Sequence, residues 1–190
     1  MGTLKIKFPH SEEYEFEAGK PVVLLGANGA GKTRLSVKIE ELNDPRFSRV
    51  NAKGIIPIHR IAAQKSLSIK ESISILDNES AQTDLFFGNP TPQATKNVYR
   101  YSSNPATNLL DDFNKALSLL FSEENKELQL AHQRDKQAIK DNTERPEPIT
   151  TVVEKATDIW NELLPHRKID LTGNGVHVNY ESQRYHGKEM

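Results

Sequence analysis

Pro21-Val-Val-Leu-Leu-Gly-Ala-Asn-Gly-Ala-Gly-Lys-Thr33 is the stretch that decides the fold. Its first five residues are continuously apolar, as expected of a short strand covered on both faces. The next eight fit the pattern Gly-x-x-x-x-Gly-Lys-Thr at every fixed position. That spacing suits one job. Glycines at 26, 29 and 31 let the backbone close around a phosphate without side-chain clash. Successive N–H groups then point inward, and a helix beginning near Lys32 aims its positive end at the same anion. The expectation is a nucleoside triphosphate, ATP, bound by Gly26, Ala27, Asn28, Gly29, Ala30, Gly31, Lys32 and Thr33 together with Arg34. Lys32 would reach the β- and γ-phosphates, and the Thr33 hydroxyl would ligate Mg²⁺. The alternative is a chance glycine turn, which the flanking strand-and-helix pattern argues against.

Working outward, Leu4, Ile6 and Phe8 alternate with Lys5 and Lys7, and Tyr14 and Phe16 alternate with glutamates. Both have the period of half-buried strands. Downstream, residues 32–42 read as a helix with Leu35, Ile39 and Leu42 on one face, ended by Asn43-Asp44-Pro45. A β-rich segment, 54–61, follows. A serine-rich stretch comes next, with a short helix over 81–87 and a loop at 88–92. Residues 106–142 predict one long or two successive helices, with Leu109, Phe113, Leu117 and Leu120 on one stripe. In the second half of that stretch only Leu128, Ala131, Ala138 and Ile139 are available to pack. An amphipathic helix over 151–164 presents Val152, Ala156, Ile159, Trp160 and Leu163. The chain closes with a hairpin, Ile169 and Leu171 against Val176, Val178 and Tyr180, turned at Gly173-Asn174-Gly175. The divisions expected are 1–65 (antiparallel β-subdomain and nucleotide-binding core), 66–165 (helical lobe) and 166–190 (hairpin).

The wording Asn28-Gly29-Ala30-Gly31-Lys32-Thr33, with two strands ahead of the phosphate-loop strand, resembles ATPases of the ATP-binding-cassette type. The branch is that of the structural-maintenance-of-chromosomes and overcoming-lysogenization-defect proteins. The resemblance implies an α/β P-loop fold with an antiparallel β-subdomain and a helical lobe. It also implies a Mg²⁺- and water-contacting glutamine after the first helix, for which Gln64 is the match; the other reading of Gln64 is a surface loop residue. Neighbouring Arg60 would contact phosphate or a subunit neighbour, or form a structural salt bridge. ATP in such enzymes is sandwiched between subunits, so the resemblance implies a homo-oligomer, at least a dimer. A shorter similarity, in Arg60-Ile-Ala-Ala-Gln-Lys-Ser-Leu67 and Tyr185-His-Gly-Lys-Glu-Met190, is to ATPases of anti-phage defence paired with a Toprim-type or DUF4435 nuclease, as in the PARIS system.

Other family parts do not appear. Walker B would be an apolar strand ending in Asp-Glu. Ser74-Ile-Leu-Asp-Asn-Glu79 is too short in apolar residues, and Leu109-Leu110-Asp111-Asp112 sits on a helix stripe. No serine-glycine signature loop is present, and His166, His177 and His186 lie in the wrong context for a switch histidine. The expectation is therefore the N-terminal part of a longer ATPase, hydrolysing little by itself. The rivals are a small P-loop kinase, which would need an acceptor-binding Asp and an arginine-bearing lid, and a non-catalytic ATP-gated scaffold. The six histidines show no i, i+4 pair, so they suggest no metal site. The charged helix 123–141 reads as a solvated face, or else as an arm for a partner.

Composition narrows the classes further. The 190 residues carry a formal net charge of −1 and no cysteine, with a mean hydropathy of −0.63. No disulfide framework or cysteine-ligated metal is possible, and overall charge gives no case for nucleic acid. No run approaches the ~20 apolar residues that cross a bilayer, and no signal peptide opens the chain. A soluble cytoplasmic protein is expected.

Overall fold

The computed structural model describes residues 3–9, 13–44, 46, 58–61, 70, 72–101, 104–108, 110, 112–171, 175–180 and 183–186. The chain divides into two compact units, 1–65 with 86–110, and 66–85 with 111–190. The sequence divides the chain at 65 and 165 instead. Residues 86–110 belong with the phosphate-loop unit because Lys96 and Arg100 are buried there against Glu40. The C-terminal strands join the second unit because Leu171 and Val176 complete its core.

The first unit begins with a hairpin of β1 (Thr3–Lys7) and β2 (Glu13–Glu17). Ile6 pairs with Tyr14 and Leu4 with Phe16 in antiparallel register, so the alternating apolar residues lie opposite one another. The polar face is a ladder of opposite charges, Lys5 to Glu15 at 3.0 Å and Lys7 to Glu13 at 3.7 Å. On the other face Phe8 meets Tyr14 edge-on, with ring centroids 5.0 Å apart. Residues 21–25 then run extended but form no strand, contrary to expectation. Val22 and Leu24 lean toward an apolar recess of about 490 Å³ shared with Phe8, Tyr14, Phe16 and Leu35. Val23 and Leu25 point away and are 74% and 92% exposed. The alternation of a strand is present in the exposures, but no described residue pairs with its backbone, and only the Val22–Leu24 side is partly covered.

Helix α1 (Lys32–Leu42) follows the loop as predicted and ends at Asn43. Its buried face is Val37, Ile39 and Glu40 rather than Leu35, Ile39 and Leu42, because the C-terminal half is anchored by polar groups. The Asn43 amide takes the Lys7 N–H at 3.1 Å and donates to the Lys7 carbonyl at 3.0 Å, tying the helix end to β1. Helix α2 (Asn78–Phe87), all but its last two residues in the second unit, starts three residues earlier than predicted, since Asp77 caps it by accepting from the Ser80 N–H at 3.0 Å. The short helix α3 (Lys96–Tyr99) has no sequence periodicity to announce it.

In the second unit, α4 (Phe113–Lys140) is one helix of 28 residues, shorter at its start than the sequence suggests. Residues 105–107 form a turn instead, so Leu110 and Asp112 lie ahead of the helix rather than on its stripe. Leu117 is buried as expected, but Phe121, one position beyond Leu120, is the deeper core residue. Leu128 and Ile139 are exposed, so of the four residues available to the second half only Ala138 is buried. Helix α5 (Val152–Leu163) opens with a complete capping box: the Thr151 hydroxyl takes the Glu154 N–H, and the Glu154 carboxylate takes the Thr151 N–H. Its buried residue is Val153, whereas Ile159 and Leu163 stay exposed. The predicted hairpin is part of a three-stranded antiparallel sheet, β3 (Arg167–Asp170), β4 (His177–Tyr180) and β5 (Gln183–His186). Ile169 faces Val178, as predicted; most of the turn at Gly173-Asn174-Gly175 lies outside the described residues. Ile73, Leu117, Phe121, Val153, Leu171 and Val176 form one apolar cluster. Among the described residues no helix is long and apolar enough to cross a membrane.

Candidate phosphate-binding site

The loop 26–31 is exposed along its length except for half-buried Gly31, and it leads directly into α1. Gly29 and Gly31 have φ of 82° and 86°, the left-handed region in which an L side chain is strained. These two reversals curl the loop: the Ala30 N–H donates to the Ala27 carbonyl at 3.1 Å. The first i to i−4 bond of α1 is from the Leu35 N–H to the Gly31 carbonyl at 2.9 Å. The helix has no side-chain cap and no acidic residue in its first turn, so its own first turn leaves the positive end there unneutralised. Lys32, Thr33 and Arg34 are all exposed on that turn. The Lys32 ammonium folds back over the loop, donating to the carbonyls of Gly26 at 2.6 Å and Ala27 at 2.8 Å. The structure thus places Gly26 to Arg34 in one continuous exposed stretch, a glycine-curled loop and an uncapped first helical turn with the Lys32 ammonium against the loop. Such an arrangement suits a phosphate group chemically.

For Mg²⁺, the described residues offer the Thr33 hydroxyl as an exposed hard-oxygen donor beside the loop. A Mg²⁺ ion there would take most of its remaining ligands from phosphate and water, as this ion commonly does. Gln64, the second proposed ligand, lies outside the described residues. Among the described residues there is no group of three or more His, Asp or Glu arranged to hold a metal ion. Asp77, the nearest sequence imitation of a Walker B aspartate, is occupied as the cap of α2. The Ser80 hydroxyl and then its N–H hold the Asp77 carboxyl below the usual carboxylate range.

Arg60 takes the third of the alternatives open to it, a structural ion pair. Its Nε lies 3.5 Å from Glu40 Oε2, and its guanidinium donates to the Pro105 carbonyl at 3.1 Å. Glu40 is wholly buried and draws in two further cations, Lys96 at 3.0 Å and Arg100 at 3.5 Å. Burial pushes the Lys96 ammonium down, and the charge of Glu40 opposes that shift. Burial and then the charge of Glu40 push the Tyr101 phenol up. Sequence reasoning did not single out Glu40, Lys96 or Arg100. The available signal was local: Glu40 sits three residues after Val37 and three before Asn43, a carboxylate on the buried stripe of an amphipathic helix.

No protein-family model, no curated protein and no solved structure matches the chain.

Proposed function

We propose that the chain binds ATP with Mg²⁺ through residues 26–33, with Lys32 and Thr33 on the phosphates and the metal. The observation that supports this reading is the loop itself. Two left-handed glycines lead into an uncapped helix N-terminus beside an exposed lysine and threonine. On this reading, joined to the likeness in Asn28 to Thr33, the protein is the nucleotide-binding part of a cassette-type P-loop ATPase. It acts as a homo-oligomer that sandwiches ATP and hydrolyses it once Walker B and signature residues are supplied. An anti-phage role, with a nuclease as effector, follows from the short likenesses at 60–67 and 185–190.

The test is titration calorimetry of Mg-ATP against the protein and its Lys32→Ala variant. Charge-assisted bonds to phosphate are worth about 1.5–3 kcal/mol each, so the variant should lose measurable binding. Its thermal stability should be unchanged, because Lys32 is exposed. Equal affinity in both proteins would remove the assignment. The 190-residue chain alone should release phosphate hardly at all, since general-base assistance contributes about 10²–10⁴-fold and the sequence supplies no convincing base. Robust, concentration-independent turnover would place a catalytic carboxylate inside these residues.

A further inference from the structure

We propose that Glu40 is a positioning residue that couples the phosphate loop to the chain segment 58–61. The inference rests on the reading of residues 26–33 as the nucleotide site. Helix α1 carries both ends of the coupling. Lys32 and Thr33 stand on its first turn, and Glu40 lies eight residues on, about 12 Å along the axis at 1.5 Å per residue. The two ends are held very differently. The first turn is exposed and has no side-chain cap, while the last is fixed to β1 through Asn43.

At the buried end, one carboxylate organises the whole of the neighbouring segment. Residues 58–61 are in neither helix nor strand, and side chains hold three of their backbone groups. The Arg60 N–H donates to Glu40 Oε1 at 3.2 Å. The Ile58 carbonyl accepts from Lys96 Nζ at 2.6 Å, and the Arg60 carbonyl accepts from the Arg100 guanidinium at 3.0 Å. Lys96 and Arg100 are the same two cations that Glu40 holds, at 3.0 and 3.5 Å. The side chains of Arg60, Lys96 and Arg100 are 9%, 2% and 2% exposed, so water screens their mutual repulsion poorly. The grip on 58–61 therefore depends on where α1 places Glu40.

At the loop end there is a competition that a ligand would tip. Lys32 Nζ donates to the Gly26 and Ala27 carbonyls. A bound phosphate offers that ammonium an anionic partner and offers the first-turn N–H groups an acceptor. Either change fixes the first turn of α1, and a continuous helix carries the constraint to Glu40. Coupling of this kind is reciprocal: the hold on 58–61 must alter phosphate affinity by the same factor by which phosphate alters the hold.

Amide hydrogen exchange at Arg60, with and without saturating Mg-ATP, reads the coupling directly. In the wild-type chain, Mg-ATP should slow exchange of the Arg60 N–H by about 5-fold or more, the lower end of usual coupling. In Glu40→Gln the neutral amide can still accept from Arg60, but the carboxylate that Arg60, Lys96 and Arg100 share is gone and only Asp44 still acts on Lys96, so the nucleotide-dependent protection should vanish. Lys96→Met is the second variant, in case Glu40→Gln does not fold. It leaves Glu40 between two arginines but removes the donor to Ile58, and should halve the response or more. The Kd for Mg-ATP should rise in each variant by the same factor as the lost protection. A structural role alone would lower thermal stability without making Arg60 exchange depend on nucleotide. Wild-type protein that binds Mg-ATP with no change at Arg60 overturns the coupling. Wild-type protein that binds no nucleotide overturns the nucleotide-site reading and the coupling with it.

Discussion

Among the described residues, four of the five largest fully buried side chains, Tyr101, Lys96, Glu40 and Asn43, belong to the phosphate-loop unit, and Val176 belongs to the other. The second unit is closed by aliphatic and aromatic contact, with Ile73, Leu117, Phe121, Val153, Leu171 and Val176 in one cluster. The first is closed by a carboxylate among three cations, while its most apolar run, 22–25, stays at the surface. These are two different responses to burial. An apolar core tolerates shape errors in proportion to the void they leave. A buried ion cluster tolerates almost no loss of one partner, because the charges left behind keep their desolvation cost.

The largest expected effects set the two cores against each other. Glu40→Gln should destabilise the first unit by about 3–5 kcal/mol, the usual result of removing one member of a buried charge cluster. Phe121→Ala should destabilise the second by about 3–5 kcal/mol, through its cavity. The single tryptophan separates them, since Trp160 lies in the second unit, donating to the Arg167 carbonyl at 2.6 Å. Denaturant unfolding followed by tryptophan fluorescence should shift for Phe121→Ala and hold for Glu40→Gln, while amide exchange in α1 should behave the opposite way. If Glu40→Gln moved neither signal, the ion cluster would not be holding its unit.

Alkaline titration sharpens the contrast from the side of the cluster. The folded protein holds the Tyr101 phenol above its ordinary value of 10.0, by burial first and the Glu40 charge second. Its contribution to stability is therefore fully present below pH 10 and is lost as the pH rises beyond that. Lys96 has the opposite sign. Its folded value lies below 10.5, so its contribution improves as the pH climbs toward that figure. Phenolate absorbance should show that not all of the five tyrosines titrate before the first unit unfolds. Reversible titration of all five in folded protein would mean that Tyr101 is not sealed in.

Smaller effects belong to the edges of both units. Thr151→Ala removes the α5 capping box and should cost about 1 kcal/mol in the fluorescence-detected unfolding of the second unit. Val23→Thr should change stability by no more than about 0.5 kcal/mol, since the side chain is 74% exposed. A loss several times larger, measured by thermal melting, would mean that the apolar run is covered in solution and that the contrast between the units is overdrawn.

What the sequence determined by itself is local. Period-2 alternation located β1 and β2 and said which residues share a face, while the pairing register came from the structure. Glycine spacing fixed the loop, and the positive φ at Gly29 and Gly31 is what that spacing requires. The amphipathic pattern over 151–164 located α5 to within one residue at each end. Tertiary structure decided the rest. Lys96 and Glu40 are separated by 56 positions; the stripe of α1 can mark Glu40 as buried, but nothing near Lys96 marks it so or names it as the partner. A charge can leave water only where distant chain segments bring its partners together, so a local pattern reads it as solvated. The same limit explains why Val153 is buried while Ile159 and Leu163 stay exposed. Periodicity shows which residues share a face of a helix, whereas the neighbour that covers part of that face is supplied by chain far away in sequence.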